Sequence, residues 1–443
     1  MKKILLLLLL CPCLTVSAQT DKSAIVQEQK DARISSAERE QTRLTVKSEV
    51  LQDIRQTGGT YYAYTPPVTP MTEPPAGYAP FYVSHYGRHG SRYMLSYKYY
   101  ERALRYLSKA DSMGILTDFG KEVLSRVKVA SIDAVQRDGD LTRLGGEQHQ
   151  GISARMYARC TDAFGAGAHV HAVSSTSQRC IVSMANFCMS LKALSPSTDI
   201  FMETSQRYMP WIIADRKQIP TVRQDTLYEK QASEFESQLY SADRLMSTLF
   251  ANKGSHLHHS QQRQLMRALF NITTDLQGLP ELGVTLWDVF TGDELFALWQ
   301  MDNIGWCRSE GLLPGCAPRY KVHYPLVREM ISKADSVINC GAHGADLRFG
   351  HDATIVPLAF IMQLDECRDI PSDLSELYKH FSSYKVTPMG ANIQLVFYRN
   401  AANDILVKIL HNERESSVPL STAHFPYYRW TDLRQYLEDR MKN

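Results

Sequence analysis

The pattern of apolar and polar residues predicts strands and amphipathic helices that alternate near both ends of the chain. Short apolar runs indicate strands, whereas apolar residues spaced three or four positions apart indicate one face of a helix. The predicted strands are residues 81–85, 169–173, 345–349, 393–398 and 405–410. The predicted helices are residues 96–113, 144–164, 177–194 and 354–364. We expect the last two strands to form an antiparallel pair.

Residues 200–325 lack this alternation, and their pattern predicts mostly helices. Large apolar side chains between Leu286 and Trp299 indicate the core of this segment. Together these elements predict an α/β fold, with a central mixed sheet flanked by helices and a helical insertion. The expected domains are an α/β domain of residues 76–199 and 326–443, and a helical insertion domain of residues 200–325.

The first 18 residues have the pattern of a secretory signal peptide. Lys2 and Lys3 precede an apolar run, and Ala18 ends a small-x-small cleavage site. The apolar run is too short to span a membrane, and no later segment is long and apolar enough to do so. We therefore expect a periplasmic or secreted protein, in which residues 19–75 form a polar tail and a proline-containing lead-in.

A lipid anchor on Cys11 or Cys13 is the second interpretation of the N-terminus. It is less favoured because Leu10 and Pro12, which precede these cysteines, are not the small residues that lipid attachment prefers. In both interpretations the mature protein is soluble or peripherally anchored.

Composition and cysteine count add two constraints. The formal net charge of +2 gives no reason to expect a nucleic-acid or membrane partner, so any basic site must be local. Nine cysteines less the two in the signal leave seven, and an odd number leaves at least one thiol in an exported protein. Cys307 and Cys316 flank a loop that contains glycine and proline, and they are the expected disulfide.

Three of the predicted strands are followed by polar loops whose side chains are suited to chemistry on an anion. In open α/β sheets, ligand sites form at the carboxyl ends of strands, so we expect these side chains to share one cleft. Arginine forks match phosphate oxygens, and an imidazole among them is a competent nucleophile. A carboxyl group can serve as acid and base. In chain order these residues are Arg88, His89, Arg92, Arg179, His351 and Asp352.

The residue strings in these loops resemble those of the histidine acid phosphatase family, which includes phytases, glucose-1-phosphatases and multiple inositol polyphosphate phosphatases. The similar strings are R-H-G-x-R at 88–92, S-S-x-x-x-R at 174–179 and the His-Asp pair at 351–352. An L-T-x-x-G string at 141–145 adds to the resemblance. The similarity spans residues 80–420 in the family's order, with a helical insertion where the family has one.

The resemblance implies a role for each of these residues. His89 would be the nucleophile that becomes phosphohistidine, and Asp352 would be the proton donor. The residues that would hold the phosphate are Arg88, Arg92, Arg179 and His351. No cofactor and no metal are implied, and the partner would be a small-molecule phosphomonoester.

The substrate is less closely defined. Tyr93 after the second arginine resembles the inositol polyphosphate phosphatase branch, and Arg137, Arg143 and Arg155 add positive charge, so phytate is the expected substrate. That branch usually has His-Ala-Glu in place of the His-Asp pair, so the sequence has mixed features. A broad-specificity or sugar-phosphate acid phosphatase is the alternative enzyme. A binding protein that kept the arginines without turnover is the non-enzymatic alternative.

Several of these features also have a purely structural interpretation. The carboxylate of Asp352 suits a helix N-terminus as well as catalysis. His256, His258 and His259 are interpreted as a polar loop between helices instead of a metal site. His343, between two glycines, is interpreted as a residue that leads into a strand.

Overall fold

A computed structural model of the chain describes residues 44–213, 226–239 and 241–442. The chain divides into two units, Met1–Glu49 and Val50–Asn443. Of the first unit only the helical residues 44–49 are described, so the predicted signal peptide, the lipid-anchor cysteines and most of the polar tail lie outside the described residues. Within the described part, no helix combines the length and the apolar character that crossing a membrane requires.

The described residues form strands and helices, with a long run of helices between residues 209 and 340. The strands are β1 (Ala79–Arg88), β2 (His169–Ser174), β3 (Asp199–Thr204), β4 (Gly344–Gly350), β5 (Asn392–Arg399), β6 (Ile405–His411), β7 (Arg414–Glu415) and β8 (Tyr427–Arg429). The helices are α1 (residues 44–52), α2 (Lys98–Ser112), α3 (Asp118–Asp133), α4 (Arg143–Arg159), α5 (Gln178–Leu194), α6 (Met209–Ile212), α7 (Thr226–Leu239), α8 (Asp243–Leu249), α9 (His259–Leu276), α10 (Gly292–Ser309), α11 (Tyr324–Cys340), α12 (Asp352–Met362), α13 (Ser383–Val386) and α14 (Trp430–Arg440). Among the short 3-10 helices, η1 (Ile54–Tyr61) matters most for the site.

The strands form one mixed sheet in the order β3-β2-β4-β1-β5-β6-β7, and β8 pairs with β6. The four strands from β3 to β1 are parallel, whereas β5, β6 and β7 continue the sheet in antiparallel fashion. The predicted central mixed sheet flanked by helices is therefore confirmed. β1 and β4 lie at its centre, which is why their residues are almost entirely buried on both faces.

Three apolar cores hold these layers together. α4 and α5 cover one face of the sheet, and α11, α12 and α14 cover the other. A third core joins α2 and α3 to α8, α9 and the start of α10. The helical layer thus draws on residues that precede β2 as well as on the predicted insertion. Trp299, Leu295 and Phe290 are buried, as the sequence pattern of the insertion indicated.

Three strands were missed in the sequence, namely β3 and the short strands β7 and β8. The pattern predicted mostly helices from residue 200, but residues 199–204 form β3 at the edge of the sheet. This edge strand is only partly covered, since Ile200 packs against the core while the side chains of Phe201 and Met202 are exposed, and it carries no regular apolar alternation. The run therefore lacks the periodicity on which a strand assignment depends.

The predicted disulfide between Cys307 and Cys316 is wrong, because both residues are thiols. Cys307 is buried on α10 inside the core beneath α11 and α12, whereas Cys316 packs only against the outside of that core. Leu312 and Leu313 fill the space into which the loop folds. Cys160, Cys180 and Cys188 are also thiols, and they are buried on helix faces or at helix ends.

Candidate active site

The predicted site residues come from the carboxyl ends of three adjacent parallel strands. β4 lies between β1 and β2, with Gly350 opposite Arg88 and Phe349 opposite Ser174. The loops that follow these strand ends therefore meet at one edge of the sheet. The structure brings together in this place Arg88, His89, Arg92, Arg179, His351 and Asp352, as the electrostatic and hydrogen-bond contacts below show.

Arg88 is fully buried and makes three contacts with protein acceptors. Its Nη1 donates to the carbonyl oxygens of Thr60 at 2.5 Å and Thr387 at 2.7 Å. Its Nη2 donates to Oδ2 of Asp352 at 2.7 Å. Burial lowers the pKa of Arg88 to about 10, still far above neutral, so the side chain stays charged. Arg88 is thus a fixed positive charge at the base of the site.

The imidazole of His89 is held in one tautomer. Its Nδ1 lies 2.9 Å from the carbonyl oxygen of Gly90, and because a carbonyl only accepts, Nδ1 carries the proton. Nε2 is then left with its lone pair. Burial lowers the pKa of His89 well below its ordinary value, and the charges of Arg88, Arg92 and Arg179 lower it further. His89 is therefore a neutral imidazole surrounded by positive charge.

The loop from Gly90 to Arg92 is held by the first turns of α4. A Cβ on Gly90 would lie 2.3 Å from the carbonyl oxygen of Gly145, and a Cβ on Gly145 would lie 2.2 Å from the carbonyl oxygen of Ser91. Thr142, which caps α4, donates to the same Ser91 oxygen at 3.1 Å. Gln148 accepts from the Ser91 backbone N–H at 2.8 Å. The L-T-x-x-G string thus serves to fix the loop that carries His89.

The guanidinium of Arg92 lies against a residue that the sequence analysis did not identify. Its Cζ is 4.7 Å from the ring centroid of Tyr61, and its Nη1 donates to the Tyr61 hydroxyl at 3.3 Å and to the carbonyl oxygen of Tyr93 at 2.9 Å. Tyr61 belongs to η1, in the segment predicted to be an irregular lead-in. No local motif marks it, because its position depends on how η1 packs against α9 and α10.

His351 is oriented by groups on the loop after β2. Its Nε2 lies 3.0 Å from Oγ of Ser175, and its Nδ1 lies 3.4 Å from Nη2 of Arg179. Because a guanidinium only donates, Nδ1 is the acceptor, and Nε2–H donates to Ser175. Burial and then Arg179 lower the pKa of His351 to about 4. The sulfur of Cys180 also lies within 3.9 Å of the ring.

Asp352 is the first residue of α12, and its Oδ1 accepts from the backbone N–H of Ala353 at 2.8 Å. Burial alone would raise the pKa of this carboxyl, but Arg88 and Arg92 outweigh burial and hold the pKa below its ordinary value. Asp352 is therefore ionised at mildly acidic pH when no anion is bound. Asp352 thus begins a helix, as the structural interpretation expected, and it also faces the arginines, where the predicted role as proton donor would place it.

The three additional arginines considered for phytate are engaged elsewhere. Arg155 donates to the buried carboxylate of Glu413 at 2.6 Å, and Arg143 pairs with Glu147 at 3.0 Å on the surface. Arg137 stacks on the ring of Tyr93, with 3.9 Å between its Cζ and the ring centroid. The expectation that they form a basic patch for further phosphates is not met, because each is held by its own partner.

Other histidines occupy structural positions. His258 caps α9 in a capping box with Gln261, and the ring of His256 packs edge-on against Phe250. The carbonyl oxygen of His343 accepts from the backbone N–H of His169 where β4 begins. Within the described ranges, no group of three or more His, Cys, Asp or Glu side chains is arranged to hold a metal ion.

Comparison with solved structures places this arrangement in a known fold. The structure of the multiple inositol polyphosphate phosphatase of Bifidobacterium longum in complex with inositol hexasulfate superposes with a TM-score of 0.72, at 18% identity, covering 86% of this chain and 97% of that chain. Its complex with phosphate gives a TM-score of 0.69 at 19% identity, over 86% and 97%. The phytase from D. castellii gives 0.67 at 16% identity, over 87% of this chain and 85% of that one.

The chain has the histidine acid phosphatase fold. The resemblance predicted from the loop strings is thereby confirmed for the architecture, from β1 to the C-terminal strands. No family model and no curated protein matches the sequence. This chain shares the fold and a few short residue strings with these structures, although its overall sequence identity to each of them is below one fifth.

Proposed function

We propose that the chain is an exported phosphomonoesterase that hydrolyses inositol polyphosphates through a phosphohistidine on His89. The observation that carries this proposal is the state of the His89 ring, whose Nδ1–H is bound to Gly90 while Nε2 keeps its lone pair. The charges of Arg88, Arg92 and Arg179 surround that nitrogen and suit a phosphoryl group. A protein that only bound phosphate would need no uncommitted nucleophile.

In the first step, Nε2 of His89 attacks phosphorus. A P–N bond forms while the P–O bond to the leaving group breaks, and the electron pair stays on the leaving oxygen. Asp352 donates a proton to that oxygen. Arg88 and Arg92 keep this carboxyl ionised in the free protein, and a bound phosphate dianion opposes their effect. We therefore expect Asp352 to take up its proton together with the substrate.

In the second step, water attacks the phosphoryl group and the P–N bond breaks. The electron pair returns to Nε2 of His89, and Asp352 takes the proton from the attacking water. Inorganic phosphate leaves, and both residues are restored for another turn. The three arginines balance the charge on the equatorial oxygens in both steps, since their positions do not depend on the leaving group.

The similar structures support inositol polyphosphates as substrates. The Bifidobacterium longum phosphatase, whose fold this chain shares, is described in complex with inositol hexasulfate and with phosphate. A phosphatase of sugar phosphates or of broad specificity is the second candidate. It is favoured by the engagement of Arg155 with the buried carboxylate of Glu413 and of Arg137 with the ring of Tyr93, which leaves these two side chains less suited to additional phosphates.

The test is release of inorganic phosphate from phytate, glucose 1-phosphate and p-nitrophenyl phosphate at mildly acidic pH with a chelator present. The wild type is compared with His89→Ala, and His169→Ala serves as the control because His169 lies exposed at the start of β2. We expect His89→Ala to lose at least about 10³-fold in kcat, as removal of a nucleophile does, while His169→Ala keeps wild-type activity. Activity in His89→Ala would contradict the mechanism, and equal turnover of all three esters would favour the second candidate.

Export is the remaining part of the proposal, and it depends on the signal pattern of residues 1–18. N-terminal sequencing of the protein recovered from outside the cytoplasm should begin at Gln19. A product that retains Met1, or that starts at a lipid-modified cysteine, would contradict cleavage after Ala18.

A further inference from the structure

A buried carboxylate from the helical layer lies behind the phosphate-binding loop. Asp275, near the C-terminal end of α9, is 2% exposed. Its Oδ2 accepts from the backbone N–H of Met94 at 3.2 Å, two residues after Arg92. Nothing in the sequence pattern distinguishes Asp275, since it follows a run of apolar and threonine residues in a helix.

The end of α9 supports both sides of the Arg92 pocket. Gln277 accepts from the backbone N–H of Ala63 at 3.0 Å and so holds the segment after Tyr61. A Cβ on Gly278 would lie 3.4 Å from Cβ of Ser91, which places the end of the helix directly against the loop. Asp275 is thus part of a rigid junction between the helical layer and the anion site.

Three polar atoms in this junction are buried and have no hydrogen-bond partner among the described residues. They are Oδ1 of Asp275, Nε of Arg92 and the hydroxyl of Tyr100, and Oγ of Ser91 in the loop is a fourth such atom. The ionisable groups that face Asp275 are Arg92 from the loop, Tyr61 from η1 and Tyr100 from α2. Asp275 and Arg92 lie close enough for the charge of each to shift the pKa of the other. Their unpartnered carboxylate oxygen and guanidinium N–H are complementary groups, suited to a charge-assisted hydrogen bond.

We propose that Asp275 is a proton-linked positioning residue of the anion site. When protonated, it leaves the Arg92 guanidinium to the phosphoryl group, and when ionised, it draws that guanidinium toward itself and competes with the anion. This inference rests on the proposed function, because it assigns Arg92 to the bound phosphate. It goes further in giving the helical layer control over the pH range in which the site binds an anion.

The charge states of the neighbouring groups set the pH range of this effect. Burial raises the pKa of Asp275 to about 7, and Arg92 and the Met94 N–H offset burial only in part. Asp275 is therefore neutral at pH 5 and ionised at pH 8.5. The lowered pKa values of His89 and His351 keep both rings neutral over this interval.

The remaining groups around the site do not change charge over the same interval. The lowered pKa of Asp352 keeps that carboxyl ionised, and the raised pKa values of Tyr61 and Tyr100 keep both hydroxyls protonated. In the free protein, Asp275 is thus the one among the groups named that changes charge between pH 5 and pH 8.5. Any proton that Asp352 takes up with the anion is common to the wild type and to variants at position 275 or elsewhere in the helical layer, so a comparison of such variants isolates Asp275. Anion binding disfavours its ionised form, so the affinity should fall as the pH rises through this range.

The experiment measures the Kd of inorganic sulfate by calorimetry at about pH 5 and about pH 8.5. Sulfate is chosen because it stays a dianion over this range, so its own titration adds nothing. The variants are Asp275→Asn, which keeps an acceptor for Met94 N–H, and Asp302→Asn as the control. Asp302 is a partly buried carboxylate in the same layer that pairs with Arg267 at 2.8 Å.

We expect wild type and Asp302→Asn to bind sulfate about tenfold more weakly at the higher pH, and Asp275→Asn to lose less than about threefold. The same affinity in all three proteins at pH 5 would show that the site is intact. A parallel loss in Asp275→Asn, or no loss in the wild type, would overturn the inference alone. Absence of sulfate binding to the wild type at both pH values would overturn the proposed anion site and the inference with it.

Discussion

The contact between α4 and the His89 loop allows a sharp prediction, because two neighbouring glycines of one helix differ in what they touch. A Cβ on Gly145 would lie 2.2 Å from the carbonyl oxygen and 2.9 Å from the backbone nitrogen of Ser91. A Cβ on Gly146 would meet only the side-chain amide of Asn186, at 3.1 Å. Gly145→Ala therefore perturbs the loop backbone, and Gly146→Ala is its matched control.

The size of the perturbation follows from these distances. Ordinary contacts of a Cβ begin at 3.4 Å, so the Ser91 carbonyl must move by about 1 Å (3.4 less 2.2) to accept Gly145→Ala. Ser91 stands between His89 and Arg92, and its backbone is already held by Thr142 and Gln148. A displacement of about 1 Å at reacting groups can reduce the rate about 10²-fold.

Stability should respond much less than activity. Alanine is favoured over glycine in a helix by about 1 kcal/mol, whereas overpacking costs about 1 to 3 kcal/mol. The net change in the free energy of unfolding for Gly145→Ala should thus be a loss of about 0 to 2 kcal/mol. Gly146→Ala should be neutral or slightly stabilising, because the tip of the Asn186 side chain can move away.

The assay pairs kcat/KM for p-nitrophenyl phosphate with the midpoint of thermal unfolding. We expect Gly145→Ala to lose about 10²-fold in kcat/KM while it stays folded, and Gly146→Ala to stay within about threefold of wild type. If both variants lost activity equally, α4 would be sensitive as a whole and the Ser91 contact would not be the cause. If Gly145→Ala kept more than half of the activity, the loop would tolerate the displacement and the reasoning would be refuted.

Two further predictions concern buried polar groups near the sheet. Glu413→Ala should destabilise by about 2 to 4 kcal/mol in denaturant unfolding, because Arg155 and Arg159 lose a fully buried carboxylate; a loss below about 0.5 kcal/mol would contradict the pairing. Burial lowers the pKa of His85 to about 3 and that of His149 to about 4, so the unfolded chain binds more protons below about pH 6.5. Stability should fall by about 1.4 kcal/mol per histidine for each pH unit from about pH 6 to pH 4, and His149→Gln should flatten this slope in unfolding measured against pH.

The strands and loops of the site were predictable because they depend on local patterns. β1, β2 and β4 are short apolar runs followed by polar loops, and parallel strands that share a sheet end at one edge. Convergence of Arg88, Arg179 and Asp352 follows from that rule without any knowledge of the order of the strands. The same rule could not identify β3, whose exposed edge position removes the apolar alternation.

Other parts of the site depend on contacts between distant segments, which leave no local pattern. Thr60 meets Arg88 through a backbone carbonyl, and a carbonyl is available at any residue type. Asp275 reaches the loop across 181 positions of sequence from a helix assigned to the insertion. The glycine at position 90 leaves room for the backbone of Gly145, which lies 55 positions later in the chain. A glycine in the sequence can indicate that the backbone is closely approached at that position, but it does not indicate which residue approaches it.

The three arginines of the site differ in how firmly the protein holds them, and this difference suggests a division of roles. Arg88 donates short hydrogen bonds to two carbonyl oxygens and a carboxylate. An incoming anion is therefore attracted by the charge of Arg88, but most of the N–H groups of Arg88 are already bonded to the protein. Arg92 keeps one short bond, from its Nη1 to the carbonyl oxygen of Tyr93 at 2.9 Å. Its contact with the Tyr61 hydroxyl at 3.3 Å and the contact of Arg179 with His351 at 3.4 Å are longer, and an anion can replace these two at small cost. Arg88 therefore sets the field that keeps His89 neutral and Asp352 ionised, while Arg92 and Arg179 are the groups able to turn toward the phosphoryl oxygens. In the proposed mechanism, a site built in this way would keep His89 ready to act as the nucleophile before the substrate arrives, because the charge that controls it does not depend on the bound anion.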